Sequence, residues 1–163
     1  MPLTRHARRF VGRRTRLPDQ RDLTRTTLVV VDTNVLVSGL VGSLTPPSQI
    51  LDAWRGAKFT LIISEPILRE LATTFERPYF RGRLTANERT ENIALLRTSA
   101  VIVTITIPVR GVATHPEDDL ILATALSVGA GYLVTGDRQL RALGTFGSTT
   151  IVTAREFVDL LPE

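Results

Sequence analysis

The sequence predicts an α/β fold built on a mostly parallel sheet, and three observations lead there. Apolar, largely β-branched runs of strand length recur at 28–32, 59–63, 101–105, 132–135 and 149–152. Helical stretches with apolar stripes and start signals fill the gaps between them. The first run, Leu28-Val29-Val30-Val31, is continuous rather than alternating, as in a strand covered on both faces. Regular exchange of strand and helix requires parallel strands joined by right-handed crossovers. A chain of 163 residues suits one domain with a sizeable core.

Taken in order, strand one runs straight into Asp32, and Thr33-Asn34 turns the chain into a helix that lasts to about Gly42. A loop over 43–48 holds two prolines. Pro47 or Ser48 can open a second helix over 49–57, with Ile50, Leu51 and Trp54 on one face. Strand two, 59–63, ends at Ser64, which caps a helix from Pro66 to about Glu76. Ile67, Leu68, Leu71 and Phe75 form its buried stripe, and Glu70 lies beside that stripe. Thr85-Ala86-Asn87-Glu88 is a capping box for the next helix, followed by strand three at 101–105. An irregular connection over 108–116 leads into a helix with Leu120, Ile121, Leu122, Ala125 and Leu126, and Gly129 stands past its end as a stop signal. Strand four, Tyr132 to Thr135, ends in the polar turn Gly136-Asp137. A short helix over 139–143, a last strand at 149–152 and a second capping box, Thr153 to Glu156, complete the chain. No internal repeat or second folded domain is visible.

Composition narrows the chemistry. There is no cysteine and there are only two histidines, His6 and His115. A thiolate metal site is therefore excluded and two histidines argue against a histidine-built zinc site, so a metal would be held by oxygen, as Mg²⁺ or Mn²⁺ prefer. No apolar run approaches the roughly 20 residues of a membrane span, and the N-terminus lacks the apolar stretch of a secretory signal. A cytoplasmic protein that does not engage a membrane is the expectation. Charge is unevenly placed. Residues 1–27 carry eight arginines against two aspartates, a net +6, whereas 28–163 carry 12 basic and 14 acidic residues, a net −2. The chain divides into a basic arm, 1–27, and a domain, 28–163. Arg8, Arg9, Arg13, Arg14 and Arg16 form a dense tract that can track nucleic-acid phosphates. It can equally be a solvated extension.

The acids of the domain fall at strand ends and helix starts. Asp32 ends strand one, Glu70 lies in the helix after strand two, Asp118 and Asp119 open the helix before strand four, and Asp137 follows strand four. Each has an innocent account: Asp32 and Asp137 as N-caps, Glu70 as a surface charge, Asp118 and Asp119 in a first helical turn, where the dipole favours anions. One shared site explains them together. Clustered carboxylates repel unless a cation sits among them. A hard divalent ion removes that conflict and can support hydrolysis of a phosphodiester.

Four blocks carry a resemblance. Val30-Val31-Asp32-Thr33-Asn34-Val35-Leu36, Ser64-Glu65-Pro66-Ile67-Leu68-Arg69-Glu70-Leu71, Asp118-Asp119-Leu120-Ile121-Leu122-Ala123-Thr124-Ala125 and Leu133-Val134-Thr135-Gly136-Asp137 are similar to the acidic blocks of PIN-domain ribonucleases. The branch they most resemble is the VapC-like toxins of bacterial toxin–antitoxin systems. The resemblance covers about 28–160. It implies a three-layer α/β/α fold with a five-stranded sheet in the order 3-2-1-4-5, Mg²⁺ or Mn²⁺ as cofactor, and endonucleolytic cleavage of RNA. It also implies a cognate antitoxin and a homodimer. By position, Asp32, Glu70 and Asp118 would be core metal ligands and catalytic groups, with Asp137 completing the site directly or through water. Asn34 and Thr135 would orient ligands or water. Asp119 is the alternative to Asp118; adjacent helical residues point about 100° apart, so the two are not equivalent.

Two rival readings remain open. A phosphatase-like hydrolase also places an aspartate after an apolar strand, but it needs a second aspartate two residues on, where this chain has Asn34. A non-catalytic RNA-binding module would use the arginine arm and leave the acids structural.

Overall fold

The computed structural model describes residues 23–24 and 26–163. The arginine tract at 8–16 lies outside the described residues. Among them, six strands form one sheet: β1 (Leu28–Val31), β2 (Thr60–Ser64), β3 (Val101–Val103), β4 (Tyr132–Val134), β5 (Thr145–Phe146) and β6 (Thr149–Val152). The helices are α1 (Thr33–Val41), α2 (Pro46–Arg55), α3 (Glu65–Phe75), α4 (Pro78–Arg81), α5 (Ala86–Ser99), α6 (Pro116–Val128), α7 (Arg138–Ala142) and α8 (Ala154–Leu160).

The strand order is β3-β2-β1-β4-β6-β5. The first five are mutually parallel, and β5 alone runs antiparallel, against β6. The parallel strands thus keep the expected 3-2-1-4-5 order, with β6 in fifth place. The sixth strand is a departure from the five expected. Two residues are too few to show a period, and β5 exists only because the Gly147–Ser148 turn folds it back on β6. Strand three is also shorter than expected. Past Val103 the chain leaves the sheet, and Ser127 of α6 accepts from the Thr106 and Ile107 N–H groups.

Burial explains the layering. Val29, Val30 and Val31 are successive residues whose side chains alternate between faces, yet all are buried. Both faces of β1 are therefore covered by helices, and each valine contributes roughly 1.5–3 kcal/mol by burial. Phe157 of α8 packs edge-on against Phe59 and Tyr132, closing one end of the core. The helix starts follow local chemistry. Thr85 and Glu88 satisfy each other's backbone N–H groups in a complete capping box. Thr153 caps α8 by accepting from the Glu156 N–H, while the Glu156 carboxylate takes the Thr153 hydroxyl rather than its amide. A further capping box, Thr45 with Ser48, starts α2 at Pro46, a residue before the expected signal. Gly39 lets α1 and α2 touch: a Cβ there would sit 2.6 Å from the Pro47 carbonyl oxygen.

Asp119 belongs to this scaffold. It is 7% exposed. Its carboxylate accepts from the N–H groups of Gly111 (2.9 Å), Val112 (3.2 Å) and Ala113 (2.7 Å), pinning the irregular connection to the start of α6. Charge-assisted bonds of this kind are the stronger ones. Asp119→Ala should therefore destabilise the protein by about 1–2 kcal/mol, since the loop amides can turn to water. It should also speed amide exchange at 111–113 in particular; thermal denaturation and hydrogen exchange check both.

Candidate active site

The site forms where the sheet changes direction. From β1 the chain steps to β2 on one side, and β4 later fills the other, which leaves a crevice beyond the carboxyl ends of β1 and β4. Asp32 follows β1 and Thr135 follows β4. The Asp32 N–H donates to the Val134 carbonyl at 2.8 Å, so the two strand ends are locked side by side.

Asp32 is the most enclosed acid of the cleft, 5% exposed. It stands at the N-cap position of α1 without making a side-chain cap bond. Its Oδ2 instead accepts from the Thr135 hydroxyl at 2.7 Å, and the same Thr135 oxygen accepts from the Asp137 N–H at 3.1 Å. Burial pushes the Asp32 carboxyl above the ordinary range. The Thr135 bond and the nearby Asn34 and Thr33 amides pull it back, and Asp137 pushes it further up. Thr135 thus orients the aspartate itself.

The other acids approach from three elements. Asp118, in the first turn of α6, lines a cleft of about 360 Å³ together with Asp32, Asn34, Ser38, Gly136 and Asp137. Its carboxyl is raised from 3.8 to about 6, first by burial and then by Asp32 and Asp137, with Glu70 adding a smaller push and His115 opposing. Asp137 caps α7, its Oδ1 accepting from the Gln139 and Leu140 N–H groups at 2.8 and 3.0 Å. Its capping and site placements coexist, because the second carboxylate oxygen makes neither bond. Glu70 of α3 is half-buried and is not part of the cleft wall. Its Oε2 accepts from the Thr33 hydroxyl at 3.0 Å. Burial raises it most, Asp32 and Glu117 raise it further, and the Thr33 bond and Arg77 lower it.

The structure thus brings Asp32, Asp118 and Asp137 to one cleft, with Glu70 electrostatically coupled at its flank and exposed Asn34 on its rim. It separates Asp118 from Asp119, which points away to the 111–113 loop. Thr33 and Glu117 escaped the sequence reading. Thr33 was legible only as a neighbour of Asp32, and a threonine next to an aspartate is no signal by itself.

Among the described residues, no three histidine or acidic side chains stand close enough to hold a metal ion as placed. The chemistry of the donor set nevertheless fits a hard divalent ion. Every donor is oxygen, and the Asp32, Glu70 and Asp118 carboxyls are each pushed up in part by a neighbouring carboxylate, a conflict that a cation relieves. No helix among the described residues is long and apolar enough to cross a membrane.

The PIN domain family matches residues 28–139. No curated protein matches the chain. Among solved structures, VapBC2 from Rickettsia felis, bound to a DNA fragment from their promoter, is similar at a TM-score of 0.57 and 15% identity, covering 78% of this chain and 98% of that one. PAE2754 from Pyrobaculum aerophilum is similar at a TM-score of 0.55 and 15% identity, covering 85% and 91%. Identities this low speak to the fold, which is the one described above. The family match reaches from the first buried strand through Asp137, and by it the chain belongs to the PIN domain family.

Proposed function

We propose that this protein is a Mg²⁺- or Mn²⁺-dependent endoribonuclease and the toxin component of a type II toxin–antitoxin system. One observation carries the nuclease reading: Asp32, Asp118 and Asp137, from three separate elements, meet in one cleft at the switch point of the sheet. Membership of the PIN family supports it. The toxin assignment, the antitoxin partner and a homodimer rest on the four-block resemblance to VapC-like toxins, and the fold shared with VapBC2 of Rickettsia felis is consistent with them.

In this reading Asp32, Asp118 and Asp137 would hold the ion, with Glu70 as a further ligand. The chemistry such an ion would supply is activation of an attacking water and offsetting of charge on the phosphoryl oxygens. The chain's own residues do the positioning. Thr135 fixes the Asp32 carboxylate, Thr33 fixes Glu70, and the α7 N-terminus fixes Asp137, so the oxygens that remain are presented with little freedom left to lose. Asn34, on the rim, orients a water or a phosphate oxygen. The arm, through Arg8, Arg9, Arg13, Arg14 and Arg16, adds sequence-independent attraction for the polyanion, which an acidic cleft needs.

Asp32→Asn should reduce RNA cleavage more than about 100-fold, beyond the loss typical of an outer-shell residue. Its thermal stability should match or exceed wild type, because Asn can still accept from Thr135 and carries no buried charge. Cleavage by the variant near the wild-type rate would refute the assignment.

The carboxylate conflict also has a pH signature. Asp118 binds its proton more tightly folded, near 6, than unfolded, near 3.8. Native stability is therefore greatest below about 3.8 with respect to this group and falls as pH rises through 6. Without divalent ions, Asp118→Asn should melt above wild type at pH 8, and the gap should close towards pH 4. Adding Mn²⁺ at pH 8 should raise the wild-type melting temperature more than that of the variant. Calorimetry with and without Mn²⁺ tests this, and equal gains would count against Asp118 as a ligand.

A further inference from the structure

We infer that the segment around α4, residues 77–83, is a stacking platform for single-stranded RNA that leads the strand into the cleft, a statement that rests on the nuclease reading above. The sequence there is Arg77-Pro78-Tyr79-Phe80-Arg81-Gly82-Arg83. Three arginines fall within seven residues of a domain that is otherwise net acidic, and all three are exposed. No acid occurs between Glu76 and Glu88. Those two are engaged elsewhere, Glu76 with Arg89 at 3.5 Å and Glu88 with the Thr85 N–H at 2.9 Å.

The aromatic geometry is prearranged. Tyr79 is 57% exposed, so its ring is accessible from solvent. The Arg83 guanidinium lies 3.5 Å from its ring centroid, and Arg83 Nη1 donates to the Tyr79 carbonyl at 2.9 Å. Phe80 meets the Tyr79 ring edge-on at 4.8 Å and reaches inward to Phe75 of α3 at 6.3 Å. The result is a planar cation on an aromatic face, anchored to the core from beneath. Bases stack on aromatic rings and on guanidinium planes without regard to sequence, while neighbouring arginines take the phosphates.

Arg77 joins this platform to the site. It lies two residues past the end of α3, the helix that carries Glu70, and is the N-cap residue of α4. The Phe80–Phe75 contact holds α4 against the end of that same helix. A strand lying on Tyr79 and Arg83 therefore has Arg77 between it and the helix that carries Glu70.

The test uses the full chain carrying Asp32→Asn, in Mg²⁺, and a fluorescein-labelled unstructured RNA, with anisotropy as the readout. Tyr79→Ala should weaken binding roughly tenfold and Tyr79→Phe should restore it. An abasic strand of the same length should bind both equally, a contrast that a merely structural tyrosine would not produce. Arg81→Ala should reduce the slope of log affinity against log salt by about 0.7, the value of one single-strand phosphate contact. In the otherwise wild-type enzyme, Tyr79→Ala should raise KM and leave kcat nearly unchanged. Unchanged RNA affinity in Tyr79→Ala, with wild type still cleaving, overturns the platform alone and leaves the exposed ring to a protein partner. Binding that depends on Tyr79 in a wild-type protein that cleaves no RNA overturns the nuclease reading alone. No RNA binding at all overturns both.

Discussion

A carboxylate at the end of a fully buried strand is the constraint around which this molecule is arranged. Asp32 is fixed in place by the apolar run before it, since Val29 to Val31 cannot leave the core without exposing both faces of the sheet. The aspartate is thus carried into a poorly hydrated position where its charge is costly. Thr135, at the end of the adjacent strand, offsets part of that cost with one short hydrogen bond. The stability of the core and the reactivity of the cleft are thereby linked, because the pairing of β1 and β4 that closes the core also brings Thr135 to Asp32.

The acids around Asp32 divide by how their charge is compensated. Asp119 accepts from three backbone N–H groups and acts as a clamp on the loop before α6. Asp118, one residue earlier, has no such donors and feels three other carboxylates. The same residue type, one position apart on a helix, is thus structural in one case and left with unmet electrostatic demand in the other. Such demand marks a functional site more often than a stability feature, because a folded chain gains nothing from like charges held together.

The charge distribution then poses a problem of access. An acidic cleft repels a polyanion, so for the RNA substrate proposed above positive charge has to lie beside the cleft rather than in it. Within the domain, Arg77, Arg81 and Arg83 provide this on the α3 side, with an aromatic surface among them. Their placement after α3 matters, because that helix also carries Glu70. One rigid element thus presents both the flank of the acidic site and the start of the basic segment.

Much of this was legible in the sequence because it is written in local patterns. Continuous β-branched runs mark strands buried on both faces, and helix signals between them leave a parallel sheet as the consistent arrangement. The four acidic blocks stand out because each sits at a strand end or helix start, and their order along the chain supports the family that the match over 28–139 shows. Other features depend on partners distant in sequence. The Thr33–Glu70 and Thr135–Asp32 bonds join residues 37 and 103 positions apart. The direction of the Asp119 carboxylate was set by where residues 111–113 pass, and the edge strand β5 by a turn that returns two residues to β6. Hydrophobic periodicity is a property of the chain and fixes which elements form and which faces are buried. The direction of a carboxylate and its hydrogen-bond donors are properties of packed neighbours, and only the tertiary structure decides those.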